Sequence, residues 1–243
     1  MLCFSKLALS YLFFVIGSGS LAQDVAQDVE MPLVFSADFD DLATDGSPES
    51  FDFTDATAWK IEQIAEGKVL SQFKRSDYSP PHRSPFSIGL VKDLEVTDFV
   101  LTARVRSTIA DYGHRDACIF FGYQDASHFY YIHLGKQTDD HANQVFIVND
   151  APRTKISTKT TEGTPWDDNW HSVKVVRDAA SGKIEVYFDD MEDPVMTATN
   201  QEFGQGRLGF GSFDDTTQWD DVRIHGVKTE SEDVTTGGKN CAR

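Results

Sequence analysis

Between residues 32 and 228 apolar and polar residues alternate in short runs, broken by Gly, Pro, Asn and Asp. In Val100-Leu-Thr-Ala-Arg-Val-Arg106, Leu101, Ala103 and Val105 fall on one face, and Thr102, Arg104 and Arg106 on the other. This is the two-residue period of a half-buried strand. Lys183–Phe188 repeats it, with Ile184, Val186 and Phe188 inward and Glu185 and Tyr187 outward. The pattern predicts strands over 33–39, 59–64, 68–73, 86–91, 99–107, 117–123, 129–134, 144–148, 154–157, 170–177, 183–188, 195–198, 207–211 and 219–225. No segment past residue 22 carries a sustained i, i+3, i+4, i+7 apolar stripe. Strands at roughly 8–12-residue spacing, with no helical crossovers, predict an all-β fold built as an antiparallel sandwich.

The stretch from Asp116 to Lys155 is the richest in chemistry. Its strands are aromatic and β-branched (ACIFFGY, FYYIHL, QVFIV), and a loop of hydrogen-bonding residues, 136–143, joins the last two. Phe129, Tyr131 and His133 share one face, while Tyr130, Ile132 and Leu134 share the other. A sheet face that sets rings beside hydrogen-bonding groups suits a poly- or oligosaccharide. On such a face Tyr131 could stack on a sugar ring, and His133 could bond a hydroxyl or move a proton. The loop residues His141 and Asn143 would form its rim, with Asp139 and Asp140 beside them. The forked donors of Arg104 and Arg106 could grip a carboxylate, sulfate or hydroxyl cluster. His114-Arg-Asp116 and the rigid loop Tyr78-Ser-Pro-Pro-His-Arg83 could border the cleft, and Trp166 is expected in an exposed loop.

The ends of the chain read differently. Lys6 followed by the apolar run 7–16 and a small-residue segment ending Ser20-Leu-Ala22 has the form of a secretory signal peptide, residues 1–22. A polar lead-in, 23–31, follows, and the sandwich is expected over 32–228. The acidic, Gly-containing tail 229–243 lacks apolar residues to bury and is expected to be disordered. No later segment is apolar enough to cross a membrane as a helix, so a secreted protein, extracellular or periplasmic, is expected. The formal charge is −17, with 39 acidic and 22 basic residues. Such a surface repels phosphate backbones and anionic lipid, which argues against nucleic acid as a partner and disfavours an anionic polysaccharide unless a local basic patch or a cation mediates. Cys118 sits in an apolar strand; an oxidising compartment permits a bond to Cys241 without requiring one.

The strand train, the segment Phe120-Phe-Gly-Tyr-Gln-Asp-Ala-Ser-His-Phe-Tyr-Tyr131 and the closing Trp219-Asp-Asp-Val-Arg-Ile224 resemble the concanavalin A-like lectin/glucanase superfamily. The likeness is greatest to the laminin-G-like and 3-keto-disaccharide-hydrolase-like jelly rolls of secreted bacterial proteins. It implies a two-sheet jelly roll that binds a glycan on its concave face. It also implies a structural calcium held by carboxylates such as Asp40 and Asp220, and no organic cofactor. Calcium takes 6–8 oxygens. Val222 and Ile224 are expected inward, which by alternation also turns Asp220 inward, where a lone carboxylate is costly. The E-x-D-x-E strand motif of the glucanases is missing, since Glu185 is followed by Tyr187 and Asp189 at the alternate positions. Recognition without chemistry is therefore the leading expectation. The alternatives are a glycoside hydrolase or polysaccharide lyase, and a non-catalytic cell-surface structural or adhesion module.

Overall fold

A computed structural model describes residues 31–229 of the 243-residue chain. The expected leader 1–22, nearly all of the lead-in 23–31, the tail from residue 230 and any pairing of Cys118 with Cys241 lie outside the described residues.

Fifteen strands run in chain order as β1 (Leu33–Ala37), β2 (Phe51–Phe53), β3 (Trp59–Ile64), β4 (Gly67–Gln72), β5 (Ser87–Ser107), β6 (Asp116–Asp125), β7 (His128–Gly135), β8 (Gln144–Asn149), β9 (Thr154–Lys155), β10 (Ser157–Thr160), β11 (His171–Asp178), β12 (Lys183–Phe188), β13 (Met196–Thr199), β14 (Gly206–Ser212) and β15 (Thr217–Lys228). One short 3₁₀ turn, Ala56–Ala58, precedes β3. Every pairing between these strands is antiparallel.

β5 organises the sandwich. Its N-terminal half lies between β2 and β14, and β14 leads on through β6, β7 and β8 to β9. Its C-terminal half lies between β11 and β15. On one side this second layer extends through β12 and β13 to β10; on the other β15 pairs with β1 and β4. Alternation predicts two strands here, 86–91 and 99–107. The structure joins them into one 21-residue strand with an exposed turning point at Lys92 and Asp93, where Asp93 takes a left-handed φ of 53°.

The principal core fills the space between the two layers. Leu101, Ala103 and Val105 of β5 share it with Ile119 and Phe121 of β6, Ile132 and Leu134 of β7, and Phe210 and Trp219. A second apolar cluster lies on the outer face of the β6–β7–β8 layer: Ile88, Leu90, Cys118, Phe120, Phe129, Tyr131, Phe146 and Val148. Each large apolar side chain so buried is worth about 1.5–3 kcal/mol of transfer free energy. Alternation thus supplies apolar residues to both faces of β6 and β7, and the outer face needs a cover. Phe213, in the loop after β14, packs over it, as does Tyr123 from β6 itself.

β14 closes tightly on β5. A Cβ on Gly211 would meet the Ser87 carbonyl oxygen at 1.8 Å and the Phe120 ring at 3.1 Å, whereas a Cβ on Gly46 would meet nothing within 4 Å. Gly211→Ala is expected to cost about 3 kcal/mol or more through forced separation of β14 from β5. Gly46→Ala should stay within about 0.5 kcal/mol of the parent. Urea denaturation of the two variants checks this; equal midpoints contradict the packing described.

Candidate functional site

Five loops converge at one end of the outer face of β6 and β7, around a pocket of about 620 Å³. Arg83 and Phe86 come from the β4–β5 loop, Tyr112 and His114 from β5–β6, and Asp139, His141 and Ala142 from β7–β8. Arg153 follows β8, Phe213 and Asp214 follow β14, and Asp116 and His133 form the strand wall. Arg115 anchors the β5–β6 loop. Its guanidinium is 1% exposed and bonds Ser107 Oγ at 3.0 Å, the Ile109 carbonyl at 2.7 Å, the Asp167 carbonyl at 2.9 Å and Asp168 Oδ1 at 2.7 Å. A buried charge with every partner in place holds its segment rigidly.

The wall is a polar cluster seated on the second apolar layer. Cys118 and His133 are opposite one another in the β6–β7 ladder, and Asp116 precedes Cys118 by one period. His133 Nδ1 lies 3.0 Å from the His141 carbonyl, and Nε2 lies 2.6 Å from Asp116 Oδ2. A carbonyl only accepts, so Nδ1 carries a hydrogen; the short Nε2–Oδ2 contact requires another proton, shared by the ring and the carboxyl group. Asp116 Oδ2 also accepts from the Phe213 backbone N–H at 3.3 Å, while Oδ1 is buried without a partner. The Asp116 backbone N–H donates to Asp215 Oδ2 at 2.8 Å, and the Tyr112 hydroxyl donates to Asp215 Oδ1 at 2.6 Å. Burial, reinforced by the charge of Asp116, pushes the Asp215 carboxyl up to about 6, against the pull of the Tyr112 hydrogen bond. Burial first, and Asp116 second, raises the Cys118 thiol well above its ordinary range.

The sequence candidates divide between two opposed surfaces. Arg104 and Arg106 alternate with core residues of the C-terminal half of β5, so they project from the outer face of the other layer. There both guanidinium groups lie over Trp170, at 5.0 and 4.9 Å from its ring centre. Arg104 pairs with Asp220 at 2.5 Å and Asp221 at 2.8 Å, and Arg106 bonds Gln218 Oε1 at 3.0 Å. Neither reaches the cluster around His133. Tyr131 is not a sugar platform. Its ring is 0% exposed and stacked on Phe146 at 5.0 Å, and its hydroxyl accepts from Arg153 at 3.0 Å. Burial raises that phenol well above its ordinary range. His133 is 7% exposed, and both its nitrogens serve the protein.

Asn143 is also structural: it is buried, left-handed at φ 52°, and its amide donates to Thr138 and Thr160 hydroxyls at 2.7 and 3.0 Å. His141 is exposed and lines the pocket. Asp140 pairs with Lys155 at 2.6 Å, leaving Asp139 as the carboxylate of that loop at the pocket. Trp166 is buried; its indole N–H donates to the Leu134 carbonyl at 2.7 Å.

Asp220 does not turn inward. β15 carries a bulge between Asp220 and Arg223, with Asp221 left-handed at φ 48°, so Trp219, Val222 and Ile224 face the core and Asp220 faces out. Its counterion is Arg104. Asp40 accepts from the Lys68 backbone N–H at 2.8 Å, and its carbonyl accepts from Lys68 Nζ at 2.7 Å. Asp40 and Asp220 thus belong to separate local networks. Among the described residues, the grouping of metal-capable side chains is Asp116, Cys118 and His133, with ligand atoms within 4.8 Å of one another.

Arg153, Phe213 and Asp215 are the pocket-building residues that alternation does not reveal. They lie in loops whose pairing with β6 and β7 depends on the closed fold. The Tyr78–Arg83 and His114–Asp116 segments were visible as polar loops near aromatic strands.

No protein-family description matches the sequence, and no curated protein does. The structure is similar to a carbohydrate-binding module, CBM66, from Bacillus subtilis, with a TM-score of 0.53 at 18% identity over 73% of this chain and 96% of that one. It is also similar to a galectin-like protein of unknown function from Bacillus subtilis, with a TM-score of 0.53 at 10% identity over 83% and 99% of the two chains. Lectin I from Ulex europaeus, solved with the methyl glycoside of α-L-fucose, gives 0.50 at 10% identity over 79% and 98%. The fold is the concanavalin A-like jelly roll expected from the sequence.

Asp215 makes the stability of the fold fall as pH rises. The folded state keeps the Asp215 proton up to about pH 6, while an unfolded carboxyl loses it near pH 4. Its contribution to stability is complete below about pH 4 and is lost as pH rises through about 6. Asp215→Asn can keep both hydrogen bonds, with its oxygen toward Asp116 and its amide toward Tyr112. It should gain on the order of 2 kcal/mol over the parent at pH 7.5 and match it near pH 4. Denaturant titrations across that range check this; a constant difference between the two proteins contradicts it.

Proposed function

We propose that this chain is an exported carbohydrate-binding protein whose ligand sits in the pocket between Phe86, Tyr112, Phe213, His141 and the two arginines Arg83 and Arg153. The observation that carries the reading is the composition of that pocket. Three aromatic side chains from separate loops stand beside guanidinium, imidazole and carboxylate groups in one recess of about 620 Å³. A sugar presents an apolar ring face and a rim of hydroxyls, and rings interleaved with fixed donors and acceptors complement both. The similarity in fold to a carbohydrate-binding module and a lectin supports the same reading.

Recognition is favoured over bond cleavage. His133, the strand residue best suited to proton transfer, spends Nδ1 on the His141 carbonyl and Nε2 on Asp116. Tyr131 is sealed beneath Arg153. Neither offers a free lone pair or N–H to a glycosidic oxygen, which general acid–base chemistry requires within hydrogen-bond reach.

Screening of the mature chain on a glycan array, followed by calorimetry on the best ligand, tests this. His141→Ala removes an exposed pocket side chain and should weaken binding about tenfold, close to 1.4 kcal/mol. Arg104→Ala, on the opposite surface, should leave affinity unchanged, and no new reducing ends should accumulate. Binding that needs Arg104 and ignores His141 would move the site to the other layer. Steady release of shortened sugar would make the protein an enzyme.

A further inference from the structure

The pocket's arginines are open to an anion although the chain is acidic, with 39 acidic residues against 22 basic ones. Arg104, Arg115, Arg207 and Arg223 each lie within 4.0 Å of an aspartate oxygen. Among the described residues Arg75, Arg83, Arg106, Arg153 and Arg177 have no carboxylate at that distance, and of these Arg83 and Arg153 line the pocket, which also contains Asp139 and Asp214.

Arg153 is held in place without being neutralised. Its guanidinium carbon lies 4.3 Å from the centre of the Phe213 ring and 5.0 Å from that of Phe146. One Nη1–H donates to the Tyr131 hydroxyl at 3.0 Å. Stacking on aromatic faces fixes the plane of the fork and is worth roughly 0.5–2 kcal/mol, while four of the five N–H donors remain for another partner. Arg83 is tied to the same wall: its carbonyl accepts from the Arg153 backbone N–H at 3.2 Å, and its own side chain is exposed. Arg75 lies over Phe86 at 4.3 Å, and Phe86 packs edge-on against Phe213 at 5.8 Å. One aromatic platform therefore carries two stacked cations, with a third beside it.

From this we infer that the pocket's ligand is an acidic saccharide, a sugar carrying a carboxylate or sulfate group that Arg153 and Arg83 pair with. A planar fork binds either oxyanion through two parallel charge-assisted N–H bonds, which are roughly twice as strong as those it makes to the neutral hydroxyls of a sugar. Asp139 and Asp214 accept from hydroxyl donors and repel additional anionic groups, which selects a sugar with few charges over a densely charged polymer. The inference rests on the carbohydrate reading above and narrows it to one chemical class.

The test is calorimetry of the full mature chain against three oligosaccharides of matched length: neutral, uronate-bearing and lightly sulfated. At low ionic strength at least one acidic probe should bind about tenfold more tightly than the neutral one, and the advantage should shrink at about 0.3 M salt. Whichever acidic probe is preferred identifies the anion. Arg153→Gln should abolish most of the advantage while leaving weak binding of the neutral sugar. Arg83→Gln alters only an exposed side chain and should reduce the advantage in a fold that is certain to persist. Equal affinity for neutral and acidic probes, or an equal loss for both in Arg83→Gln, overturns the anionic class and leaves the carbohydrate reading intact. Failure of all three probes and of a wider glycan array overturns both.

Discussion

The period-two alternation of β6, β7 and β8 is the constraint on which the site depends. One row of these strands enters the inter-sheet core through Ile119, Phe121, Ile132 and Leu134. The intervening row, Cys118, Phe120, Phe129, Tyr131 and Phe146, is apolar as well. A layer with two oily faces cannot leave either one in water without losing about 25 cal/mol for each square ångström exposed. The loops after β4, β5, β8 and β14 therefore fold down over the outer row, and the pocket is the gap they leave. Its floor is rigid because Tyr131 stacks on Phe146 and is locked from above by Arg153.

The polar wall follows from the same geometry. Asp116 and His133 continue the outer row beyond its apolar part, where they meet each other instead of water. Their contact at 2.6 Å, the Phe213 N–H on Asp116 and the Asp215 bridge to Tyr112 link two strands and two loops in one hydrogen-bonded network. Half-satisfied networks in a low-dielectric setting are costly, so these groups hold the loops as well as line the cavity. Arg115 does the same for the β5–β6 loop. The exposed side chains of His141, Arg83 and Asp214 are then free to vary in what they bind without altering the scaffold.

Much of the fold was legible because alternation is a local property. All-β architecture, antiparallel layers and most strand positions follow from runs such as Val100–Arg106. What alternation cannot reveal is a change of parity. The bulge at Asp220–Asp221 inserts a residue, so Asp220 turns outward to Arg104 although Val222 and Ile224 stay inside. The polar pair Lys92 and Asp93 resembles a break between strands, yet a left-handed residue lets β5 continue from one layer into the other. The short β2 and β10 carry too few residues to display a period. For the site, Tyr131 and His133 were correctly placed on one face, but whether that face meets solvent depends on Phe213 and Arg153, distant in sequence. Arg104 and Arg106 alternate as cleanly as any strand residues, and nothing local says that their layer is the opposite one.

A crystal structure of the mature chain with a bound acidic oligosaccharide tests the central claim most directly. Density for the sugar should fill the recess between His141, Phe213 and Arg153, with Tyr131 still covered beneath it. Density over Trp170 beside Arg104 and Arg106, or a Tyr131 ring turned out to meet the ligand, would contradict this account.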